Sequence, residues 1–172
     1  MSALLVALAG LPGVGKTTIS RAASAEVGAV YLRIDSIERG LTTSSLRLKD
    51  VADAGYAAAM AVAQDNLCGD TVVITDSVNP LPATRAAWRA VAAHAEAAIL
   101  EVEVICSDRD LHRKRVEARA ASRQELTVPH WPQVAARDYR PYPGAHLVLD
   151  TAKLAPDDAI AALVEAIRAR CT

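Results

Sequence analysis

The sequence predicts an α/β three-layer sandwich built on a five-stranded, mainly parallel sheet. Three observations lead there. Five short apolar runs alternate with segments of helical composition, the pattern of strands joined by helical crossovers. The first run is apolar at every position, as expected of a strand covered on both faces. About a fifth of the residues are Ala, which favours helices packed through small side chains.

The elements follow in order. Residues 3–9 form the first strand and end at Gly10. Thr17 to Val27 reads as a helix that Gly28 stops. Residues 29–33 make a second strand, closing on Asp35. A polar stretch from Gly40 to Asp50 leads into an Ala-rich helical segment that ends at Leu67, and Gly69-Asp70 turns the chain. The third strand, 71–75, ends at Asp76, and 82–97 is helical. Residues 99–105 form a fourth strand whose alternating Val and Glu place it near a sheet edge. A strongly basic helix spans 108–123, followed by proline-bearing stretches around Pro129 to Pro132 and Pro141 to Gly144. Residues 145–149 supply the fifth strand and 157–170 the last helix. Residues 1–172 make one domain, with 40–50 and 122–144 as its least regular parts.

Composition removes several function classes. With 52% apolar and 23% charged residues the chain has a core to bury, which excludes intrinsic disorder. Only 3% is aromatic and there is no Phe, so base-stacking platforms for single strands are scarce. A net charge of −1 offers no general attraction for nucleic acid or anionic membrane. Cys68, Cys106 and Cys171 lie far apart without a CxxC pair, which points away from zinc and toward idle thiols in a reducing compartment. No apolar run is long enough to span a bilayer, and the N-terminal run lacks a signal peptide's positive start. A cytoplasmic protein is expected.

The turn after the first strand carries the chemistry. Gly10-Leu11-Pro12-Gly13-Val14-Gly15-Lys16-Thr17 matches GxxxxGK[ST] between a strand and a helix, where a phosphate-binding loop must lie. Backbone N–H groups through Gly13, Val14 and Gly15 can curl around phosphate oxygens, and the helix N-terminus adds positive potential. Lys16 can reach the β- and γ-phosphates, Thr17 can ligate Mg²⁺, and Thr18 can serve the α-phosphate. ATP and Mg²⁺ are the expected cofactors. A guanine-reading Asn-Lys-x-Asp segment is absent, which leaves a small kinase rather than a GTPase.

Phosphoryl transfer also needs an orienter for the acceptor hydroxyl, an acid near the metal, and cations for the transferring group. Asp35 follows the second strand and can accept or align the hydroxyl proton, or else cap a helix with Glu38 as its partner. Arg39, one helical turn on, can hold an anionic or polar part of the acceptor. Asp76 ends an apolar strand, as a carboxylate beside Mg²⁺ does, though a turn or cap role fits too. Ser77 and Asn79 lie within reach of an acceptor; Arg85 is open between substrate and structure, and Trp88 reads as packing. Arg115, Arg119 and Arg123 recur every four residues on one face of the basic helix. Such a face is either solvated or a lid over the transferred phosphate, with Arg119 and Arg115 as its leading candidates. His94, His112, His130 and His146 form no constellation with a nucleophile.

Together these segments resemble the P-loop kinases grouped with phage-type polynucleotide 5′-kinase, chloramphenicol phosphotransferase and zeta toxin. The resemblance spans nearly the whole chain. Its most specific part is the phosphate loop. Arg33-Ile34-Asp35-Ser36-Ile37 is similar to the segment bearing the catalytic Asp of the chloramphenicol enzyme, which implies Asp35 as general base. Val73 to Pro80 with Arg85 to Trp88 is similar to the acceptor cleft of polynucleotide kinase. Arg115-x-x-x-Arg119 matches its two lid arginines, and Arg39 its acceptor-contacting arginine. Leu149-Asp150-Thr151 resembles the segment near adenine, so the base is expected beside Arg113 and Thr151. The resemblance implies a P-loop kinase fold with a short helical lid over about 108–144 and ATP-dependent phosphorylation of a hydroxyl; a small-molecule acceptor is expected. A polynucleotide or nucleoside 5′-hydroxyl kinase is the alternative, less favoured without a basic channel. A nucleotide-binding regulator is the other.

Overall fold

The computed structural model describes residues 3–45, 48–122 and 128–171. Twelve elements follow one another: β1 (Leu4–Ala9), α1 (Lys16–Val27), β2 (Val30–Arg33), α2 (Ile34–Thr43), α3 (Ala54–Asn66), β3 (Val72–Asp76), α4 (Pro82–His94), β4 (Ala98–Ile105), α5 (Arg109–Ala121), α6 (Trp131–Ala135), β5 (Leu147–Asp150) and α7 (Pro156–Cys171). The five strands form one sheet in the order β2-β3-β1-β4-β5, with every pairing parallel.

The unbroken apolar run of β1 has a simple cause. Successive side chains of a strand point to opposite faces. Leu4, Val6 and Leu8 join one buried cluster with Ile19 and Ala23 of α1 and Leu163 and Ile167 of α7. Leu5 and Ala7 join the other, with Ala59 and Ala63 of α3 and Trp88 of α4. Both faces are therefore apolar, and the sheet lies between two helical layers.

Two expectations are refined. β4 lies one strand in from the edge, as expected, but is paired on both sides, by β1 and β5, and so is not half open. Its Val–Glu alternation arises because Glu101 and Glu103 meet dedicated partners. Arg89 Nε donates to Glu101 Oε1 at 2.8 Å, and Tyr142 also donates to that oxygen. Tyr139 donates to Glu103 Oε1 at 2.7 Å. A buried carboxylate so satisfied is tolerated inside a sheet. The polar stretch expected from Gly40 begins later, because α2 continues to Thr43. Thr42 and Thr43 turn their hydroxyls back onto carbonyls of their own helix, including that of Arg39.

The topology fixes where a ligand can sit. From β1 the chain builds β2 and β3 on one side and β4 and β5 on the other. The connections part at the carboxyl end of β1, where a parallel sheet opens a crevice. Among the described residues no helix is long and apolar enough to cross a membrane.

Candidate active site

The loop after β1 lies in that crevice. Gly10 has φ 143°, and a Cβ there would stand 2.2 Å from the Val104 carbonyl oxygen. Gly15, at φ 102°, is the residue from which α1 starts. Only glycine takes these conformations without strain. The loop thereby turns its backbone toward the N-terminus of α1. Lys16 is buried and its ammonium donates to the carbonyls of Gly10 (2.8 Å) and Leu11 (3.0 Å). Burial pushes its pKa down to about 8, against the pull of Asp76 and Asp35.

The carboxyl end of β3 faces this loop. Thr17 Oγ1 donates to Asp76 Oδ2 at 2.6 Å, and the Tyr31 hydroxyl donates to the same oxygen at 2.8 Å. Burial, followed by the Asp76 charge, raises the Tyr31 phenol to about 12. Arg33 lies on the same face of β2 as Tyr31, two residues on. Its side chain is 8% exposed; Nη2 donates to Asp35 Oδ2 at 3.0 Å, while Nε stands 3.9 Å from Asp76 Oδ2. Arg33 thus links the carboxylate just past β2 to the one that ends β3.

Asp35 stands in the first turn of α2 and is 58% exposed. The helix begins one residue earlier with Arg33 in the capping position, so Asp35 is not the N-cap. Its charge instead lies near the positive helix end.

Two cavities open around these groups. The smaller, about 450 Å³, is bordered by Gly13, Gly15, Thr18, Arg115, Thr151 and Leu154. The larger, about 750 Å³, is bordered by Asp35, Arg39, Tyr56, Asp76, Ser77 and Arg137. Lys16, Thr17, Arg33 and Arg119 border both, and so mark the junction.

The two lid candidates differ. Arg115 donates through Nη1 to Thr151 Oγ1 (2.8 Å) and through Nη2 to Thr151 O (3.1 Å). Thr151 Oγ1 in turn bonds the Val14 carbonyl at 2.9 Å, which ties Arg115 to the phosphate loop. Arg119 stands one turn further along, at the junction. Arg123 lies outside the described residues.

Several candidates are placed elsewhere. Arg113 is exposed, pairs with Glu117 at 2.8 Å along its own helix and borders neither cavity. Arg85 is buried and donates to four main-chain carbonyls: Asn79, Pro80, Arg140 and Pro141. Its guanidinium also lies 4.0 Å from the Tyr142 ring centroid. Arg85 therefore bolts the segment before β5 to the sheet. Asn79 is fully buried, and its N–H donates to the Tyr56 hydroxyl at 3.0 Å. It shapes the larger cavity through Tyr56 and does not border it. Trp88 is fully buried, as packing requires. His112 contacts the Pro12 carbonyl at 2.8 Å and the edge of Trp131, whereas His130 borders the larger cavity.

Sequence reasoning missed Tyr31, Arg33 and Arg137. For the first two a signal existed: residues two apart on a strand share a face, so both point where the strand's end meets Asp76. Arg137 follows the short α6 and had no periodic pattern to mark it. No group of three or more His, Cys, Asp or Glu side chains suited to a metal occurs among the described residues. The hydroxyl of Thr17 with the carboxylate of Asp76 is a hard-oxygen pair of the kind Mg²⁺ takes when phosphate completes its shell.

Comparison with known proteins agrees with this fold. The family model AAA_33, described as an AAA domain, matches residues 5–141. A Chloroflexus aurantiacus protein provisionally described as a kinase is similar, with a TM-score of 0.80 at 19% identity over 99% of both chains. The Mycobacterium tuberculosis APS kinase CysC, in complex with AMPPNP and APS, has a TM-score of 0.71 at 20% identity, covering 97% of this chain and 98% of that one. Chaetomium thermophilum Kti12, in complex with ADP-AlF3, has a TM-score of 0.71 at 19% identity, covering 98% and 99%. Among curated proteins no sequence matches. At such identities the structural likeness establishes the fold, while the family match covers most of the chain: this protein belongs to the AAA_33 family and has the P-loop kinase fold.

Proposed function

We propose that the protein is an ATP-dependent phosphotransferase that moves the γ-phosphoryl group to a hydroxyl of a small-molecule acceptor. The observation that carries this reading is the pair of cavities meeting at Lys16, Thr17, Arg33 and Arg119, with Asp35 and Asp76 beside the junction. A pure nucleotide binder has no need of a second cavity opening on the γ-phosphate position.

The roles follow from chemistry. Backbone N–H groups of residues 13–18 cradle the triphosphate. Thr151 and Leu154 border the space left for the base. Thr17 and Asp76 would hold Mg²⁺, which when bound neutralises charge on the β- and γ-phosphates. Lys16 leaves its carbonyl partners for the phosphates, a better-charged acceptor. Asp35 accepts the proton of the acceptor hydroxyl, and Arg33 fixes the carboxylate that does so. Arg119 faces the charge that develops on the transferring group, and Arg115 secures the nucleotide side. Arg39 lies one turn from Asp35 on the acceptor wall. Helices α5 and α6, within 108–144, act as the lid. A cytoplasmic setting supplies the ATP and keeps the three thiols reduced.

The test is ADP release from Mg·ATP across a panel of hydroxyl acceptors: nucleosides, sugars, aminoglycoside and phenicol antibiotics, and a 5′-hydroxyl oligonucleotide. Asp35→Asn serves as the blank. Acceptor-stimulated release lost in that variant supports the proposal. Release indifferent to every acceptor contradicts it and favours a nucleotide-binding regulator. Steeply salt-dependent release with the oligonucleotide alone favours the 5′-end kinase.

A further inference from the structure

The larger cavity carries more positive charge than phosphoryl transfer uses. Among the described residues five cationic side chains and three carboxylates border it, in a chain whose net charge is −1. Lys16, Arg33 and Arg119 also border the smaller cavity, so the transferring phosphate accounts for them. Arg33 is in addition bonded to Asp35. Arg39 and Arg137 remain, and both belong to the larger cavity alone.

These two arginines come from different parts of the fold. Arg39 is on α2; Arg137 follows α6, held by the N–H it donates to the Val134 carbonyl. Among the described residues no carboxylate lies within ion-pair distance of either side chain. Three other exposed arginines, Arg113, Arg140 and Arg168, each pair with a carboxylate. Arg39 is exposed, and so is Arg137, which also borders the cavity. The Arg137 charge is felt at Lys16, Glu38 and Tyr56, three groups on the cavity's other walls. Burial and the neighbouring Asp35 raise the Glu38 carboxyl, while Arg137 opposes them. Glu38 alone cannot balance two guanidinium groups. Val51, Val128 and Val134 supply apolar wall between the polar ends.

We infer that the acceptor is a small alcohol bearing its own anionic group, a phosphate or a carboxylate, which Arg137 and Arg39 bind while its hydroxyl lies at Asp35. Arg137 is then a specificity-determining residue. This rests on the phosphotransferase reading for the position of the hydroxyl, and on the cavity's charges for the anion. A guanidinium matches either anion through paired N–H donors, and a neutral alcohol would leave both arginines without a counter-charge.

The test has two arms. The first measures acceptor-stimulated ADP release on matched pairs: ribose and ribose 5-phosphate, glucose and gluconate, adenosine and adenosine 3′-monophosphate. An anionic member should be preferred by about tenfold or more in kcat/KM. Phosphate and carboxylate members tell the two anions apart. Arg137→Ala should raise KM for the preferred member about tenfold, more than it lowers kcat, and Arg137→Lys should recover part of the loss. Arg168→Ala, on the far surface, should change nothing. Equal use of neutral and anionic members, or an unchanged KM in Arg137→Ala, overturns the inference.

The second arm needs no turnover. With Mg·AMPPNP filling the γ-phosphate position, inorganic phosphate and acetate are titrated by calorimetry. Binding of either that is lost in Arg137→Ala and in Arg39→Ala supports the anion site. Absence of binding to both, or binding indifferent to both substitutions, overturns it. Anion binding without transfer to any acceptor would retire the phosphotransferase reading and leave the anion site standing.

Discussion

The proposed nucleotide half and the proposed acceptor half of the site are held by different kinds of bond. On the proposed nucleotide side the charges rest largely on main chain. Lys16 lies on the carbonyls of Gly10 and Leu11, and Arg115 grips Thr151, which grips the Val14 carbonyl. Toward the larger cavity, side chain meets side chain: Arg33 bonds Asp35 and Tyr31 bonds Asp76, with Thr17 of the phosphate loop joining Asp76 at the junction. A site made of main chain binds what every member of a fold binds, whereas a site made of side chains is free to change its ligand. The fold therefore speaks for the nucleotide, and only the side chains speak for the acceptor.

Substitutions on the two halves should separate binding from transfer. The largest effect is expected from Lys16→Ala, which removes the one cation inside the phosphate loop. Turnover should fall below detection and ATP affinity should drop as well, measured by calorimetry beside the wild type. Asp35→Asn should lower kcat by about 10²- to 10⁴-fold, the usual span for a lost general base. Its ATP affinity should stay near wild type, because Asp35 borders only the larger cavity. A parallel loss of ATP affinity would erase the division between the halves.

How far the sequence went follows the same line. The phosphate loop is legible because glycines at fixed spacing answer a backbone requirement, seen here as φ 143° at Gly10 and 102° at Gly15. Asp76 is legible because it terminates an apolar strand, and Asp35 because it lies two residues past the end of another. Arg33 was hidden by ending its strand as one more charged residue, though strand periodicity sets it beside Tyr31. Arg137 was hidden because it meets the site only through the fold, from a segment with no period. Arg85 misled for the opposite reason. Its place after the third strand suits a ligand contact, but its partners, the carbonyls of Arg140 and Pro141, lie 55 and 56 residues on. β4 was only partly legible because Glu on a strand reads as exposure unless its partners are known.

The two lid arginines sharpen the comparison further. Arg115→Ala should raise KM for ATP more than it lowers kcat, since its bonds are to Thr151 on the nucleotide side. Arg119→Ala should do the reverse, from its place at the junction. Arg85→Ala should cost about 3 kcal/mol of stability by stranding buried carbonyls, read as a lower Tm, without touching either cavity directly.

Per unit of change, the smallest effect is set by pH. Lys16 has a pKa of about 8 in the unliganded protein against 10.5 for a free lysine. Between those values the unfolded chain holds the extra proton, so stability of the unliganded protein should rise with pH across that window. ATP needs the charged ammonium, so its affinity should fall as pH climbs above about 8, by at most about tenfold per unit. Denaturant titrations and calorimetry over the same pH range should show these opposite slopes, and Lys16→Met should flatten both.

The central claim is that the γ-phosphoryl group crosses from the smaller cavity to an acceptor held in the larger one. Mass spectrometry of the product mixture tests it most directly, with Mg·ATP and the best acceptor of the panel. The account predicts an acceptor heavier by one phosphoryl group, formed in step with ADP by the wild type and not by Asp35→Asn. ADP accompanied only by inorganic phosphate, or a phosphorylated acceptor formed at the wild-type rate by Asp35→Asn, would contradict it.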